Sequence, residues 1–212
     1  GGFEIGEMRF LADAIHKAQD ENRLRAEHFI HLRCEVSAPD VMDAFADFTG
    51  DTRVRLASLM DHAPGQRQFR TMDQYTLYYK TKRGLTDEQF EKFCAGRVEN
   101  SRKNSARHRK LISDYCNANG IALASHDDAT LDHVAEAVEQ GVRVAEFPTT
   151  IAAARASHDA GLKVLMGGPN IVRGGSHSGN IAASELAALG ILDVISSDYV
   201  PFSMLQSVFA LT

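Results

Sequence analysis

Short apolar segments alternate with amphipathic segments along most of this chain, and this alternation constrains the fold more than any other feature. Hydrophobic periodicity predicts six β-strands, at residues 26–36, 54–60, 121–125, 142–146, 162–166 and 192–196. The remaining periodic segments predict helices near residues 6–22, 37–48, 86–119, 130–140, 149–160 and 180–189. Strands that are separated by helices need crossover connections, so the sequence predicts a parallel sheet.

Polar residues follow every predicted strand, which favours a barrel over an open sheet. In a (β/α)8 barrel the active site lies at the carboxyl ends of the strands, whereas an open doubly wound sheet binds its ligands beside one switch point. We therefore expect an α/β fold of the TIM type, a partial (β/α)8 barrel that forms one domain over residues 1–212. About six βα units are visible and eight close a barrel, so we expect the chain to be incomplete.

The charge and the cysteine content argue against several classes of protein. A formal net charge of −5 disfavours nucleic acid as the main partner, because phosphate backbones require a concentrated basic surface. A local basic pocket could still bind an anionic small molecule. The three cysteines lie far apart and form no disulfide framework, which favours a reducing cytoplasm. No apolar run approaches the ~20 residues that span a bilayer.

A histidine and two aspartates follow the third predicted strand. His126, Asp127 and Asp128 come directly after residues 121–125, where a barrel directs side chains toward its active site. Imidazole and carboxylate ligands together suit a divalent metal such as Zn, Mn or Fe(II). Metal binding by His126 is therefore one interpretation. The other is structural, with Asp128 as the N-cap of the next helix and His126 as a surface turn residue.

Three ionisable residues share one side of the first predicted strand. Alternation places His31, Arg33 and Glu35 on one face, and Leu32 and Cys34 on the other. Charged groups inside a barrel are unfavourable unless they are paired or bound to metal. Glu35 is therefore a candidate metal ligand, with His31 or Arg33 in contact with the substrate. An ion pair between Arg33 and Glu35 is the structural alternative.

Other strand ends carry further candidates. Asp198 follows the last predicted strand and could bind metal or accept a proton from the attacking water, or it could cap a helix that begins at Pro201. His62 holds the equivalent position after the second strand and is a candidate for substrate binding. Glu146 ends the fourth strand and is a candidate metal ligand. We expect Thr149 to cap the helix that comes next.

The run at residues 166–180 concentrates glycine between a predicted strand and a predicted helix. Glycines let backbone amides approach an anion closely, a helix N-terminus adds positive charge, and Arg173 can bind phosphate oxygens with two hydrogen bonds. The spacing matches neither the phosphate loop of nucleotide hydrolases nor the dinucleotide fingerprint. An ordinary flexible loop is the alternative. The predicted substrate-binding residues of this run are Asn170, Arg173, Gly174, Gly175, Ser176 and His177.

Together these segments resemble the amidohydrolase superfamily, and within it the diphosphatases of phosphonate use. The likeness covers nearly the whole chain, and the run at 166–180 is quite specific to these enzymes. The residues that carry the resemblance are Glu27 and His28 and residues 31–35, 58–69, 124–130, 145–150, 166–180 and 196–199.

The resemblance implies a metal-dependent hydrolase that converts α-D-ribose 1-methylphosphonate 5-triphosphate to the 5-phosphate and pyrophosphate. It implies that Glu35, His126 and Asp198 bind the metal or act on the attacking water. Glu146 falls where members often have a histidine ligand. One feature departs from the superfamily pattern, because no HxH or HxD motif precedes His28. These 212 residues alone could therefore lack full metal affinity and be inactive.

Two other functions are compatible with the sequence. The same metal site could serve an amidohydrolase that cleaves a C–N bond or deacetylates a sugar phosphate, because a fold and its ligands do not fix the bond cleaved. A non-catalytic scaffold subunit would need no metal. We expect an anionic triphosphate as the partner of the site, with no nucleic acid and no membrane, and a homo-oligomer is also compatible.

Overall fold

The helices and strands follow the predicted alternation. The structure is a computed structural model that describes residues 5–67, 76, 85–176 and 179–211. In chain order its elements are α1 (Ile5–Asp20), β1 (Ile30–Glu35), α2 (Val41–Ala46), β2 (Val54–Met60), α3 (Asp87–Ala118), β3 (Ala122–His126), α4 (Leu131–Glu139), β4 (Val144–Glu146), α5 (Ile151–Asp159), β5 (Lys163–Gly167), α6 (Gly168–Arg173), α7 (Ala183–Ala188), β6 (Val194–Ser196) and α8 (Ser203–Ala210). Among the described residues, no helix combines the length and the apolarity needed to cross a membrane.

The six strands form one parallel sheet whose spatial order follows the chain from β1 to β6. A doubly wound sheet reverses its strand order at a switch point, and no reversal occurs between β1 and β6. The sheet is curled, and this mixed α/β architecture is compatible with part of a (β/α)8 barrel. The predicted strands and their parallel pairing are confirmed.

The two faces of the sheet differ in chemistry. One face is apolar and forms the main core with α3, through Cys34, Ala57, Leu59, Leu123 and Ala145 from the strands and Ile112 and Cys116 from the helix. The other face is polar, since the lateral register aligns Arg33 with Ser58 and His126 with Glu146. Residues aligned in this way point to the same side of a sheet. The polar face is therefore the one that can carry a site.

Threonine caps begin three helices. At the start of α3, the Thr86 hydroxyl accepts a hydrogen bond from the Gln89 amide, and the Gln89 side chain accepts one from the Thr86 amide. Thr130 caps α4 and Thr150 caps α5 in the same way, with the hydroxyl accepting an amide of the first turn. Each bond satisfies an amide that has no partner within its helix.

Three caps predicted from the sequence are wrong. Asp128 does not cap α4, because Thr130 lies at the helix start and takes that place. Thr149 precedes the actual cap of α5 by one residue, and its hydroxyl donates to the Asp128 carbonyl instead. Asp198 lies too far from α8, whose first residue is Ser203 and whose N-terminus has no side-chain cap.

The glycine-rich run at 166–180 contains a helix that the sequence interpretation missed. Helix α6 begins directly after β5 with Pro169 in its first turn, and it ends where Gly174 adopts a left-handed φ of 81°. Gly168 permits close packing of α6 on α8, since a Cβ there would lie 2.6 Å from the Ser203 Oγ. Some of the glycines therefore serve helix packing rather than loop flexibility.

A buried ionic cluster joins the segment after β2 to α3 and α4. Arg67 donates hydrogen bonds to the carboxylates of Asp128 and Glu136. Arg109 of α3 lies 3.7 Å from Glu136, and burial together with the charge of Arg67 lowers the pKa of Arg109 to about 10. Arg67 is 5% exposed and Asp128 is 1% exposed, so water cannot replace either partner.

We predict that Asp128→Asn lowers the free energy of unfolding by about 3 kcal/mol, because it removes the fully buried carboxylate partner of the Arg67 guanidinium and leaves, within the described part of the chain, only Glu136, whose side chain is 40% exposed. Asp159→Asn is the matched control on the surface of α5, where a side chain 70% exposed should change stability by less than about 0.5 kcal/mol. Urea denaturation measures both variants. Equal stability of the two would contradict a structural role for the ionic cluster.

Candidate metal centre

The ends of β2 and β3 bring two histidines and one aspartate together. His126 is the last residue of β3, Asp127 follows it, and His62 lies two residues beyond β2. One ligand atom from each of the three residues lies within 4.8 Å of the other two. The Asp127 Oδ2 is 3.5 Å from the His126 Nε2 and 3.7 Å from the His62 Nε2. We call this group the HHD cluster, and its three atoms could hold one metal ion.

A carboxylate holds the other ring nitrogen of each histidine. The His62 Nδ1 lies 2.6 Å from the Glu35 Oε2, and the His126 Nδ1 lies 2.7 Å from the Glu146 Oε2. Because an ionised carboxylate can only accept, each Nδ1 carries a proton and donates it. The Nε2 of each ring is then the atom available to a metal. Such carboxylates are the usual outer partners of metal-binding histidines.

Both carboxylates remain ionised although they lie largely away from water. Burial alone would raise the pKa of Glu35 and of Glu146, but the hydrogen bonds from His62 and His126 hold both pKa values at about 2. Arg97 of α3 adds a contact of 3.3 Å to Glu35. These two acids therefore act as fixed negative charges behind the histidines.

Asp127 supplies the observation that best tests whether a metal fits. It is 6% exposed, and its Oδ2 has no hydrogen-bond partner among the described residues. Burial raises the pKa of this carboxyl, although the neighbouring His126 and His62 oppose the shift. A buried carboxylate oxygen without a partner is unfavourable. Two imidazole nitrogens and this oxygen are a donor set that a divalent cation would satisfy.

Backbone strain is concentrated beside the HHD cluster. Among the described residues, four other than glycine adopt a left-handed φ, and three of these, Asp127, Phe147 and Asp198, follow the ends of β3, β4 and β6. All three line the cavity over the cluster. Residues held in this region cost about 1–3 kcal/mol each and accumulate where a site fixes side-chain direction. The fourth residue, Asn22, follows α1.

A cavity of about 340 Å³ lies over the HHD cluster. The structure gathers there seven of the residues predicted for the site, namely Arg33, His62, His126, Asn170, Arg173, Ser176 and Asp198. Volumes of this order accommodate small-molecule ligands. His177, another of the predicted substrate-binding residues, lies outside the described residues.

Other predicted site residues lie around the cavity in different roles. Glu35 and Glu146 contact the Nδ1 atoms of the histidines, behind the side that faces Asp127. The alternative ion pair of Arg33 with Glu35 does not form, because Arg33 lies 3.8 Å from the Glu146 Oε1 instead. Asp198 lines the cavity but does not belong to the HHD cluster.

The glycines after α6 differ from their predicted role. The Gly174 amide donates to the Ile171 carbonyl and the Gly175 amide donates to the Asn170 carbonyl. Both amides therefore close the end of α6 rather than point at an anion. The Asn170 side chain is also engaged, since its amide nitrogen donates to Ile181 and its oxygen accepts from Ala183.

Three residues of the site were not predicted in the positions they take. Asp127 was considered with its neighbours at residues 126–128 but was not among the predicted metal ligands, and His62 was predicted for substrate binding rather than for metal. Tyr199 was not predicted at all; its hydroxyl accepts a hydrogen bond of 2.9 Å from the Arg173 guanidinium at the cavity. The position of Tyr199 one residue after Asp198 was the available signal.

The chain is similar to the alpha-D-ribose 1-methylphosphonate 5-triphosphate diphosphatase of Escherichia coli (strain K12). The two sequences are 48% identical over 209 residues, which cover 99% of this chain and 55% of that relative. The chain thus spans about half the length of the relative. No family model matches the chain, and no solved structure matches it. The predicted likeness to phosphonate diphosphatases is confirmed.

We predict that His62→Ala weakens binding of Zn²⁺ or Mn²⁺ by more than about 100-fold, because loss of an outer partner alone costs about 10–100-fold. Competition with a chelating dye measures the affinity. His158→Ala is the control, since this histidine lies on α5 and does not line the cavity. Equal affinities of the two variants would exclude the HHD cluster as the metal centre.

Proposed function

We propose that this chain is part of a metal-dependent diphosphatase that hydrolyses α-D-ribose 1-methylphosphonate 5-triphosphate to the 5-phosphate and pyrophosphate. The similar protein from Escherichia coli is named for this activity, and the likeness extends over 99% of the chain. The observation that carries the proposal is one cavity lined by both the HHD cluster and the arginines Arg33 and Arg173. A cation site next to guanidinium groups is suited to a polyphosphate.

His62, His126 and Asp127 would hold the metal. Two nitrogen donors and one oxygen donor suit Zn²⁺, Mn²⁺ or Fe²⁺. When bound, such a cation activates water as a nucleophile at neutral pH and offsets negative charge on phosphoryl oxygens. Glu35 and Glu146 fix the orientation of the two rings and would leave the Nε2 atoms available to the ion, which is the role we assign to them in place of direct ligation.

Arg173 would bind the phosphates that leave as pyrophosphate. Its planar guanidinium can donate two parallel hydrogen bonds to phosphate oxygens. The bond of 2.9 Å from Arg173 to the Tyr199 hydroxyl uses one nitrogen and restricts where the remaining donors point. Arg33, on β1, adds positive charge to the same cavity. These groups stabilise the negative charge that grows on the leaving oxygens.

Asp198 would accept the proton of the attacking water. Its carboxylate lies at the end of β6 and lines the cavity, and its left-handed φ of 48° fixes the direction in which the side chain leaves the strand. A carboxylate at such a position can take a proton at either oxygen as the oxygen of water bonds to phosphorus.

The curled sheet would be six strands of a (β/α)8 barrel. The consecutive strand order and the gathering of polar groups at one edge support this architecture. In such a barrel the polar face of the sheet becomes the interior, which is where His31, Arg33 and Ser58 point.

We predict that Arg173→Ala raises the KM for the ribose triphosphate about tenfold or more, because a hydrogen bond to a charged group contributes about 1.5–3 kcal/mol. Pyrophosphate release with added Mn²⁺ or Zn²⁺ measures the reaction. The assay uses the longest natural polypeptide that contains these residues. Arg155→Ala, an exposed arginine on α5, is the control and should keep the original KM.

Pyrophosphate itself tests the substrate class independently of turnover. It should raise the melting temperature of the metal-loaded protein, and less so in Arg173→Ala. A folded protein that hydrolyses no triphosphate and gains no protection would contradict the proposal and favour cleavage of a C–N bond.

We predict that Asp198→Asn lowers kcat about 100-fold or more and leaves the metal affinity unchanged, because the amide cannot accept the proton. The two quantities are measured on one preparation, by pyrophosphate release and by dye competition. A parallel loss of metal affinity would identify Asp198 as a ligand and contradict its assignment as the base.

A further inference from the structure

Ser58 connects the metal centre to the polar face of the first two strands. This residue lies on β2 and is fully buried. Its Oγ is 2.8 Å from the Glu146 Oε2 and 2.5 Å from the His31 Nε2. The Glu146 Oε2 is also the atom that receives the His126 Nδ1. Four side chains, one from each of the strands β1 to β4, are thus joined by hydrogen bonds.

The direction of each hydrogen bond follows from the chemistry of its partners. The Glu146 Oε2 lies 2.8 Å from the Ser58 hydroxyl and 2.7 Å from the His126 Nδ1, and a carboxylate oxygen with two such neighbours accepts both bonds. Ser58 therefore gives its only hydroxyl hydrogen to Glu146. Its oxygen must then accept the remaining bond, and the His31 Nε2 must carry the proton that it donates. His31 thus donates to Ser58, and Ser58 donates to the Glu146 Oε2. His126 donates to the same Glu146 oxygen.

Glu146 depends on Ser58 more than Glu35 depends on any one partner. Besides the His62 ring, Glu35 accepts hydrogen bonds from the Ser37 hydroxyl, the His62 amide and the Arg97 guanidinium. Besides the His126 ring, the hydrogen bond that the structure gives Glu146 is the one from Ser58, while Arg33 stands 3.8 Å from its second oxygen. Loss of the Ser58 bond would leave the His126 ring as the one hydrogen-bonding side chain, among the described residues, on the Glu146 carboxylate, which would then be held less firmly.

We propose that Ser58 and His31 are positioning residues, which hold His126 in its metal-binding orientation through Glu146 and thereby set the cation affinity of the HHD cluster. The proposal rests on the metal site assigned above. Neither residue lines the cavity, so both would act without touching the substrate. Because Ser58 accepts a hydrogen bond from His31, the hydroxyl becomes a stronger donor to Glu146, and this bond holds the carboxylate in place beside the His126 ring.

The first test is the metal affinity of Ser58→Ala. We expect a loss of about tenfold for Zn²⁺ and Co²⁺, at the low end of the effect of outer partners, and a changed visible spectrum of the Co²⁺-loaded protein. Ser157→Ala is the matched control: that serine is also 0% exposed, but its hydroxyl has no hydrogen-bond partner among the described residues. The control should keep both the affinity and the spectrum.

The second test uses His31, whose replacement leaves the core intact because its side chain is exposed. His31→Leu removes the donor to Ser58 and should weaken Zn²⁺ binding severalfold. His31→Gln places an amide N–H near the position of the ring Nε2 and should restore most of the affinity. A purely structural role of His31 would not produce this difference between a leucine and a glutamine.

A third measurement reports the hydrogen bonds without any metal. In the metal-free protein the proton on the His126 Nδ1 should give a downfield NMR resonance that moves in Ser58→Ala and stays in place in Ser157→Ala. An unmoved resonance, or unchanged Zn²⁺ affinity in Ser58→Ala and His31→Leu, overturns the relay while the metal site stands. A moved resonance in a protein that binds no cation overturns the metal site and, with it, the influence on affinity proposed here.

Discussion

The register between β3 and β4 places His126 beside Glu146, and the chemistry of the site depends on that pairing. Side chains alternate between the two faces of a strand, so a slip by one residue would turn the histidine toward the apolar core. Leu123 and Ala145, both fully buried on the core face, oppose such a slip because it would expose them. Apolar packing on one face of the sheet thus holds the hydrogen bonds on the other.

Two consecutive aspartates meet partners of opposite kinds at the end of β3. Asp127 faces the Nε2 atoms of two histidines, whereas Asp128 binds the guanidinium of Arg67 within a buried cluster. The left-handed φ of 57° at Asp127 lets the chain turn between them, at a cost of about 1–3 kcal/mol. The hydrogen bond from the Asp127 amide to the Glu146 carbonyl and the ion pair of Asp128 offset that cost. Contacts outside the HHD cluster therefore offset the backbone strain at Asp127.

The fold could be predicted more fully than the site. Apolar periodicity found all six strands, because burial of one face is a property of local sequence. Strand ends also identified His126 and Asp198 as neighbours of one cavity. The contacts of the two glutamates could not be predicted in this way: Glu35 and Glu146 were candidate metal ligands, and in the structure each accepts a hydrogen bond from the Nδ1 of a histidine. These contacts depend on the positions of side chains on neighbouring strands, and the hydrophobic periodicity of a sequence carries no information about those positions.

The two parts of the cavity differ in how firmly their side chains are held. His126, Asp127 and Glu146 are each at most 6% exposed, and their hydrogen bonds lie where solvent screens little. Tyr199 is 61% exposed, and its bond to Arg173 competes with water. If the HHD cluster binds a cation as proposed, its side chains are ordered beforehand, so binding would cost little conformational entropy. The Arg173 side chain can still change its conformation on binding. The attraction of its guanidinium for a phosphate would fall as ionic strength rises, whereas salt screens the buried HHD cluster far less. In the proposed function, the affinity for a cation and the affinity for phosphate would therefore depend on separate physical terms within one cavity.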